Sequence, residues 1–132
     1  MASIRREMNV EADATQIWDA VRDVGALHQR LVKSFVVDCR LDGDDARIVK
    51  FANGMEAREL IVDLDDAERR IVWSATGGRL THHNASLQVF DEGGGRSRVV
   101  WLADLLPNAL APAIAGMIDD GMRAMKATLE AA

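Results

Sequence analysis

Two adjacent histidines, His82 and His83, lie in the stretch THHNASLQVF at residues 81–90. Neighbouring histidines could bind a metal ion, or one of them could act as an acid or base. The stretch alternates polar and apolar residues as a β-strand does, and successive side chains of a strand point to opposite faces. Since Leu87 and Val89 share a face with His83, we expect His83 to point toward the core and His82 toward solvent.

This alternation argues against a metal site, because two side chains on opposite faces of one strand cannot bind the same ion. His28 lies in a helical segment, and no acidic or cysteine spacing completes a ligand set. We therefore predict no metal and no cofactor. Three roles remain open for His83: a core histidine bonded to a neighbour, a polar group in a ligand pocket, or a general acid or base. Alternation also turns the single cysteine, Cys39, inward, as expected for an inert thiol.

The composition narrows the class of protein. The chain has 132 residues and a formal net charge of −5. This length predicts a single domain over residues 1–132, and the negative charge argues against binding to a phosphate backbone. No apolar run approaches the roughly 20 residues that span a bilayer. The charged N-terminus does not resemble a signal peptide, and one cysteine fits a reducing compartment, so we expect a cytoplasmic protein.

The periodicity of the chain predicts the order of its elements. Residues 3–10 alternate as a strand, and residues 13–25 have helical spacing with a capping-box signal at Asp13 and Gln16. A second short helix is predicted at 26–32. Six further runs with a period of two follow, separated by short turns that favour an antiparallel meander. Their ranges are 33–43, 46–54, 55–66, 69–78, 80–95 and 96–107.

A long amphipathic helix is predicted for the terminal segment 109–131. At 1.5 Å per residue it would be roughly 33 Å long, enough to cross a sheet. Glycine inside a helix costs about 1 kcal/mol relative to alanine, so Gly116 and Gly121 need a reason. Close approach of the helix to the sheet is one reason, and a yielding lid over a cavity is another. The elements together predict an α+β domain with a seven-stranded antiparallel sheet and helices on one face.

The predicted inward face of the sheet combines aromatic groups with a few polar ones, and the helix above it carries methionines, which adapt to irregular shapes. An ordinary core has the same composition, so both interpretations stay open. Strand 55–66 is interpreted with Leu60, Val62 and Leu64 inward, which also turns Arg58 inward, and strand 46–52 is not oriented. The candidate ligand-binding residues are Phe35, Arg58, Leu60, Trp73, His83, Trp101, Met117, Met122 and Met125.

Three segments carry a resemblance to a known family: ADATQIWDAVRDVGALHQRL, RRIVWSATGG leading into THHNASLQVF, and GGGRSRVVWLADLLP. The chain resembles the START/polyketide cyclase–dehydrase superfamily, also called SRPBCC, over essentially its whole length. The resemblance implies a helix-grip fold, β-α-α-β6-α, in which a curved sheet wraps around a long C-terminal helix. It also implies a deep cavity for apolar small molecules. The proline usual near the start of the first helix is absent, and Ala14 lies in that region.

Three functions are consistent with these observations. The first is binding of a hydrophobic small molecule, such as a lipid, polyketide or aromatic compound, between the sheet and the terminal helix. The second is an enzyme of the polyketide cyclase/dehydrase kind, with His83 as acid or base. The third is a protein-interaction or stress-related domain, which would expose a large apolar patch. The expected partner is a hydrophobic small molecule, with no nucleic acid and no membrane span, and a homodimer is left open.

Overall fold

The elements of the computed structural model, which describes residues 2–132, follow the predicted order β-α-α-β6-α. A short 3-10 turn at Asn108–Leu110 leads into the last helix. The bounds are β1 (Ala2–Val10), α1 (Ala14–Arg22), α2 (Leu27–Arg30), β2 (Val36–Leu41), β3 (Ala46–Phe51), β4 (Glu56–Asp65), β5 (Arg70–Thr76), β6 (His82–Gly93), β7 (Arg96–Leu106) and α3 (Ala111–Ala131). No helix within residues 2–132 is long and apolar enough to cross a membrane.

All seven strands form one sheet in the order β1-β7-β6-β5-β4-β3-β2, and each neighbouring pair is antiparallel. Strands β2 to β7 form the predicted meander, since each short turn returns the chain beside the strand it has just left. Strand β1 pairs with β7 from Ala2↔Leu105 to Val10↔Ser97. The prediction of a curved, seven-stranded antiparallel sheet around a long C-terminal helix is confirmed.

Helix α1 begins where its capping residue predicts. The carboxylate of Asp13 accepts a hydrogen bond from the Thr15 backbone N–H at 3.2 Å. Ile17 and Val21 are buried one turn apart, which seats the apolar face of α1 in the core. The helix ends at Arg22, earlier than the predicted stop at Gly25, and α2 occupies only one turn of its predicted range.

Helix α3 lies across the concave face and is attached to the edge strand β1. The Arg6 Nε donates to Asp119 Oδ1 at 2.7 Å, and the Lys126 Nζ donates to the Asn9 carbonyl at 2.6 Å. The Met125 side chain of α3 is fully buried in the core between helix and sheet. These contacts fix the position of α3 above the strands that face it.

The predicted orientation of β4 is wrong. Arg58 and Leu60 point to the outer face, where Arg58 Nε donates to Asp42 Oδ2 at 2.9 Å and Leu60 is 36% exposed. Glu59 is buried instead, because Arg47 of β3 lies directly opposite and compensates its charge. A register shift between Ile61 and Asp63 interrupts the simple alternation further along the strand.

The predicted orientation of β2 is also partly wrong. The alternation that turns Cys39 inward also predicts Val37 and Leu41 inward. Leu41 does lie on that face, opposite Arg47 and against Gly25, although its side chain is 61% exposed. Val37 does not, and it is 50% exposed. A register shift between Val36 and Asp38 places Val36 inward and Val37 outward. Cys39 is buried as predicted.

Candidate functional site

A cavity of about 150 Å³ lies between the concave face of the sheet and α3. Two aromatic pairs form much of its wall. The rings of Trp73 and Trp101 meet edge to face with centroids 5.7 Å apart, and those of Phe35 and Phe51 do the same at 5.4 Å. Edge-to-face packing holds aromatic rings in defined positions, so these four side chains give the cavity a defined shape.

Most of the predicted site residues face this cavity, and three do not. Met122 is buried in the core and does not line the cavity. Arg58 and Leu60 lie on the opposite face of the sheet, so the prediction that they point into the pocket is wrong. The predicted residues that line the cavity are Phe35, Trp73, His83, Trp101, Met117 and Met125.

The His83 ring lies where strands β5 and β6 separate. Ladder pairing between these strands ends at Trp73↔Ala85. Beyond that point the Ala75 backbone N–H donates to His83 Nδ1 at 2.9 Å, and the Ser74 hydroxyl donates to the His83 carbonyl at 2.6 Å. The imidazole therefore replaces a backbone carbonyl as the partner of a strand N–H, which would otherwise be left unpaired.

This hydrogen bond determines the protonation state of His83. A ring nitrogen that accepts an N–H carries no proton, so the proton of the neutral ring is on Nε2. Burial lowers the pKa of the His83 imidazole, and the nearby His82 lowers it further. His83 thus presents a neutral ring with Nε2–H as a hydrogen-bond donor. A nitrogen that already carries a proton cannot act as a general base.

A buried ion pair forms a second polar part of the cavity wall. Arg47 Nε donates to Glu59 Oε1 at 2.9 Å, and the two side chains are only 4% and 10% exposed. Arg47 Nη1 also donates to the Val24 carbonyl at 3.2 Å, and its guanidinium lies 6.0 Å from the centre of the Trp73 ring. The pair therefore joins β3, β4 and the loop after α1, besides facing the cavity.

The three polar side chains of the wall lie in one row across the sheet. Arg47 is paired with Glu59, Glu59 with Ala75, and Ala75 is bonded to the His83 ring. Ala75 has the smallest side chain of the row, so it leaves open space between the carboxylate and the imidazole. One strand spacing of about 4.8 Å separates the backbones of Glu59 and Ala75, and His83 lies beyond Ala75, where β5 and β6 separate.

The sequence analysis missed Arg47 and Glu59. The sequence does not orient strand 46–52, because both of its faces mix polar and apolar side chains. One face carries Arg47, Val49 and Phe51, and the other carries Ile48 and Lys50. The useful signal is the opposite charge directly across a hairpin. The Asn-Gly turn sets Arg47 of β3 against Glu59 of β4, and such a pair can be buried together.

The two glycines of α3 have different surroundings. A Cβ atom on Gly121 would lie 3.0 Å from the Trp101 ring and 3.2 Å from the Phe35 ring. Gly121 therefore lets the helix approach the aromatic wall closely, which is the first of the two reasons considered from the sequence. A Cβ atom on Gly116 would meet nothing within 4 Å, so packing does not require glycine there.

No metal-ligating set is present among residues 2–132: no group of three or more histidine, cysteine or acidic side chains could hold an ion. The Cys39 thiol is buried and donates to the Val24 carbonyl at 3.5 Å. Burial raises the pKa of the Cys39 thiol, so it stays protonated near neutral pH and is a poor nucleophile.

An antiparallel sheet that encloses a cavity against a long terminal helix defines the helix-grip class of domains. The sequence profile of the family described as "Polyketide cyclase / dehydrase and lipid transport" matches residues 1–130, and the chain belongs to this family. The family membership confirms the resemblance drawn from the sequence. No curated protein matches the chain in sequence.

Solved structures with the same fold cover nearly the whole chain. A solution NMR structure from Thermobifida fusca is 27% identical, with a TM-score of 0.76 over 99% of this chain and 91% of that one. The protein XoxI from Bacillus cereus is 20% identical, with a TM-score of 0.84 over 98% and 96% of the two chains. A START superfamily protein from Mycobacterium smegmatis is 13% identical, with a TM-score of 0.75 over 98% and 94%. The last two show the fold alone.

Proposed function

We propose that this protein binds a small, largely apolar molecule in the cavity between the sheet and α3. The observation that carries the proposal is the cavity itself, which is lined by aromatic and aliphatic side chains with only a few polar groups. Small-molecule sites have this composition, because apolar walls supply affinity and a few polar groups set orientation. The family to which the chain belongs supports the same class of function.

The volume of the cavity limits the size of the ligand. A volume of about 150 Å³ is well below the roughly 300 Å³ at which drug-sized pockets begin. Apolar cavities near 150 Å³ stay dry and hold a single benzene ring. An empty cavity of this volume would cost about 3.5 kcal/mol at 24 cal/mol per Å³, a large part of ordinary stability. A molecule with one ring would recover much of that cost by filling the space.

The polar groups favour binding over proton transfer. The Nε2–H of His83 suits an acceptor oxygen on the ligand, and the hydrogen bond from Ala75 holds the ring in place. A cyclase or dehydrase that used His83 as a base would need an unprotonated Nε2, which this arrangement disfavours. We therefore place His83 as an orienting group, with Trp73 and Trp101 as apolar contacts. The cytoplasmic location and a homodimer stay predictions from the sequence.

An interaction domain receives less support. Val37 is exposed on the outer face of β2, but the exposed charged side chains of Asp38 and Arg40 follow it on that face. Charged side chains interrupt the apolar patch on this surface, whereas the lining of the interior cavity is mostly apolar. The cavity is thus the stronger candidate for a binding site.

Filling the cavity tests the proposal directly. Ala75 lines it, and Thr76 is the next residue of β5 and is exposed. We expect Ala75→Leu to abolish binding of toluene measured by calorimetry, and Thr76→Leu to leave it unchanged. Native mass spectrometry of the purified protein, followed by denaturing extraction, would identify a copurified molecule. Failure of toluene and of any copurified compound to bind the wild type would contradict the proposal.

A further inference from the structure

The opposite charges that face the cavity cancel one another, and this limits the class of ligand that the cavity can accept. We propose that Glu59 is a specificity-determining residue, which masks the positive charge of Arg47 so that the cavity accepts uncharged polar ligands and rejects carboxylates. The inference rests on the proposed function and deepens it, because it says which small molecules the site takes.

The geometry of the pair supports masking. The side chains of Arg47 and Glu59 are almost fully buried and joined at 2.9 Å, so water screens neither charge well. The Val24 carbonyl takes a further N–H of the guanidinium. The guanidinium thus uses two of its five N–H donors within the protein, and its charge is already balanced by Glu59, with which an entering anion would have to compete.

The second carboxylate oxygen of Glu59 favours ligands that carry a hydrogen-bond donor. Within residues 2–132, the hydrogen bonds of the Glu59 carboxylate involve Oε1 and not Oε2. Glu59 lines the cavity, and we assign Oε2 as the acceptor of an N–H or O–H from a ligand. A ligand carboxylate at the same place would instead lie beside a like charge.

His83 does not supply a compensating charge. Its Nδ1 accepts the Ala75 N–H, so the ring is neutral and donates only through Nε2. The ionisable residues of the cavity wall are therefore one neutralised pair and one neutral imidazole. An anion in such a site loses its hydration without gaining a counter-charge, which is costly, whereas an amide loses much less.

Benzamide and benzoate test the inference, because they have nearly the same shape and differ in charge. Dissociation constants for both, and for toluene as an apolar reference, are measured by calorimetry at about pH 7, where benzoate is ionised. We expect the wild type to bind benzamide at least about ten-fold more tightly than benzoate. In Glu59→Gln the unmasked Arg47 should favour benzoate and reverse the ratio, and binding of toluene reports whether the cavity of the variant is intact.

Glu56→Gln is the matched control, since Glu56 lies on the same strand and is exposed. It should keep the wild-type ratio. The charge-selection proposal is overturned if folded Glu59→Gln binds toluene and keeps the wild-type ratio of benzamide to benzoate. If neither toluene nor any copurified compound binds the wild type, the proposed function itself fails, so the two failures are distinguishable.

A double variant keeps the test decisive if Glu59→Gln does not fold. Replacing the whole pair, Arg47→Met with Glu59→Leu, leaves no unpaired buried charge, and such replacements are often tolerated. We expect the wild type to bind benzamide more tightly than toluene through Glu59, and the double variant to bind toluene at least as tightly as benzamide and to reject benzoate. A double variant that keeps the wild-type order of the three probes would show that the pair does not set specificity.

Discussion

The two halves of α3 differ in how they are held. In the C-terminal half, Gly121, Met125 and Leu129 are buried against the sheet. In the N-terminal half, Ile114 and Met117 are only partly buried, and both line the cavity. The C-terminal half of the helix therefore contributes mainly to the core, and the N-terminal half lies mainly over the space where we place a ligand. Met125 does both, since it is buried and also borders the cavity.

The polar contacts of α3 show the same division. The side-chain bonds from the helix to β1 and its following residue begin at Asp119 and continue through Lys126 to Glu130, which accepts the Glu11 N–H at 2.8 Å. The Lys33 N–H donates to the Thr128 hydroxyl at 3.1 Å. The comparison teaches that a single regular helix can be an anchor at one end and the cover of a cavity at the other.

Truncating one methionine in each half should give the largest difference. Met125→Ala removes a fully buried side chain, and we expect the free energy of unfolding to fall by about 3 kcal/mol. Met117→Ala should cost less than about 1 kcal/mol, because its side chain is only partly buried. Urea denaturation of both variants measures the difference. Equal losses would show that the two halves are packed alike.

Replacing each glycine of α3 by alanine should change the free energy of unfolding by a smaller amount, and in opposite directions for the two positions. Gly121→Ala should lower the free energy of unfolding by about 1–2 kcal/mol, because the new methyl group meets the rings of Trp101 and Phe35. Gly116→Ala should raise it by up to about 1 kcal/mol, since alanine favours the helix and nothing obstructs it. Thermal unfolding of each variant gives the sign. A stabilising Gly121→Ala would contradict the close approach of helix and sheet.

A bound ligand should protect the N-terminal half selectively. At ten times its dissociation constant, toluene stabilises any opening that releases it by about 1.4 kcal/mol. Amide hydrogen exchange in residues 111–118 should therefore slow by about ten-fold, if local opening of this half exposes the cavity. Hydrogen exchange of the amides in residues 120–129 should slow less, unless these residues open together with residues 111–118. Uniform protection along the helix would mean that α3 opens as one unit.

The free energy of unfolding should depend on pH through His83, which lies in the cavity wall. The expected effect is small. Burial lowers the pKa of His83, so the unfolded chain binds its proton more tightly. The free energy of unfolding should therefore fall as the pH drops below about 6.5, the usual histidine value, toward the lower pKa of the folded state. Glu7, Asp66 and Glu130 have lowered carboxyl pKa values and matter only at more acidic pH.

His83→Asn isolates this contribution. The amide oxygen of asparagine can take the place of Nδ1 as acceptor for the Ala75 N–H, and the side chain does not titrate. Denaturation curves at about pH 7 and pH 5.5 should then differ less for the variant than for the wild type. The same pH dependence in both proteins would assign it to another group.

The elements were predictable from the sequence because long periodic segments leave few alternatives. The meander and α3 were predicted in this way, and so was the inward direction of His83. The face of β4 was not predictable by alternation, since Leu60 and Val62 are more hydrophobic than Glu59. Only the position of Arg47 across the hairpin explains why a carboxylate is buried there. Register shifts within β2 and β4 add a change of face that no periodicity reveals.

The tryptophan pair of the cavity wall has a spectroscopic consequence. The sequence contains no tyrosine, and the third tryptophan, Trp18, is tied by its indole N–H to Asp66 at 2.8 Å, away from the cavity lining. Two indole rings 5.7 Å apart at an interplanar angle of 62° couple their electronic transitions, so we expect an exciton contribution to the circular dichroism spectrum. Any molecule that enters beside Trp73 and Trp101 changes that coupling. The protein thus carries its own label-free optical reporter of occupancy, with Trp18 as an internal reference.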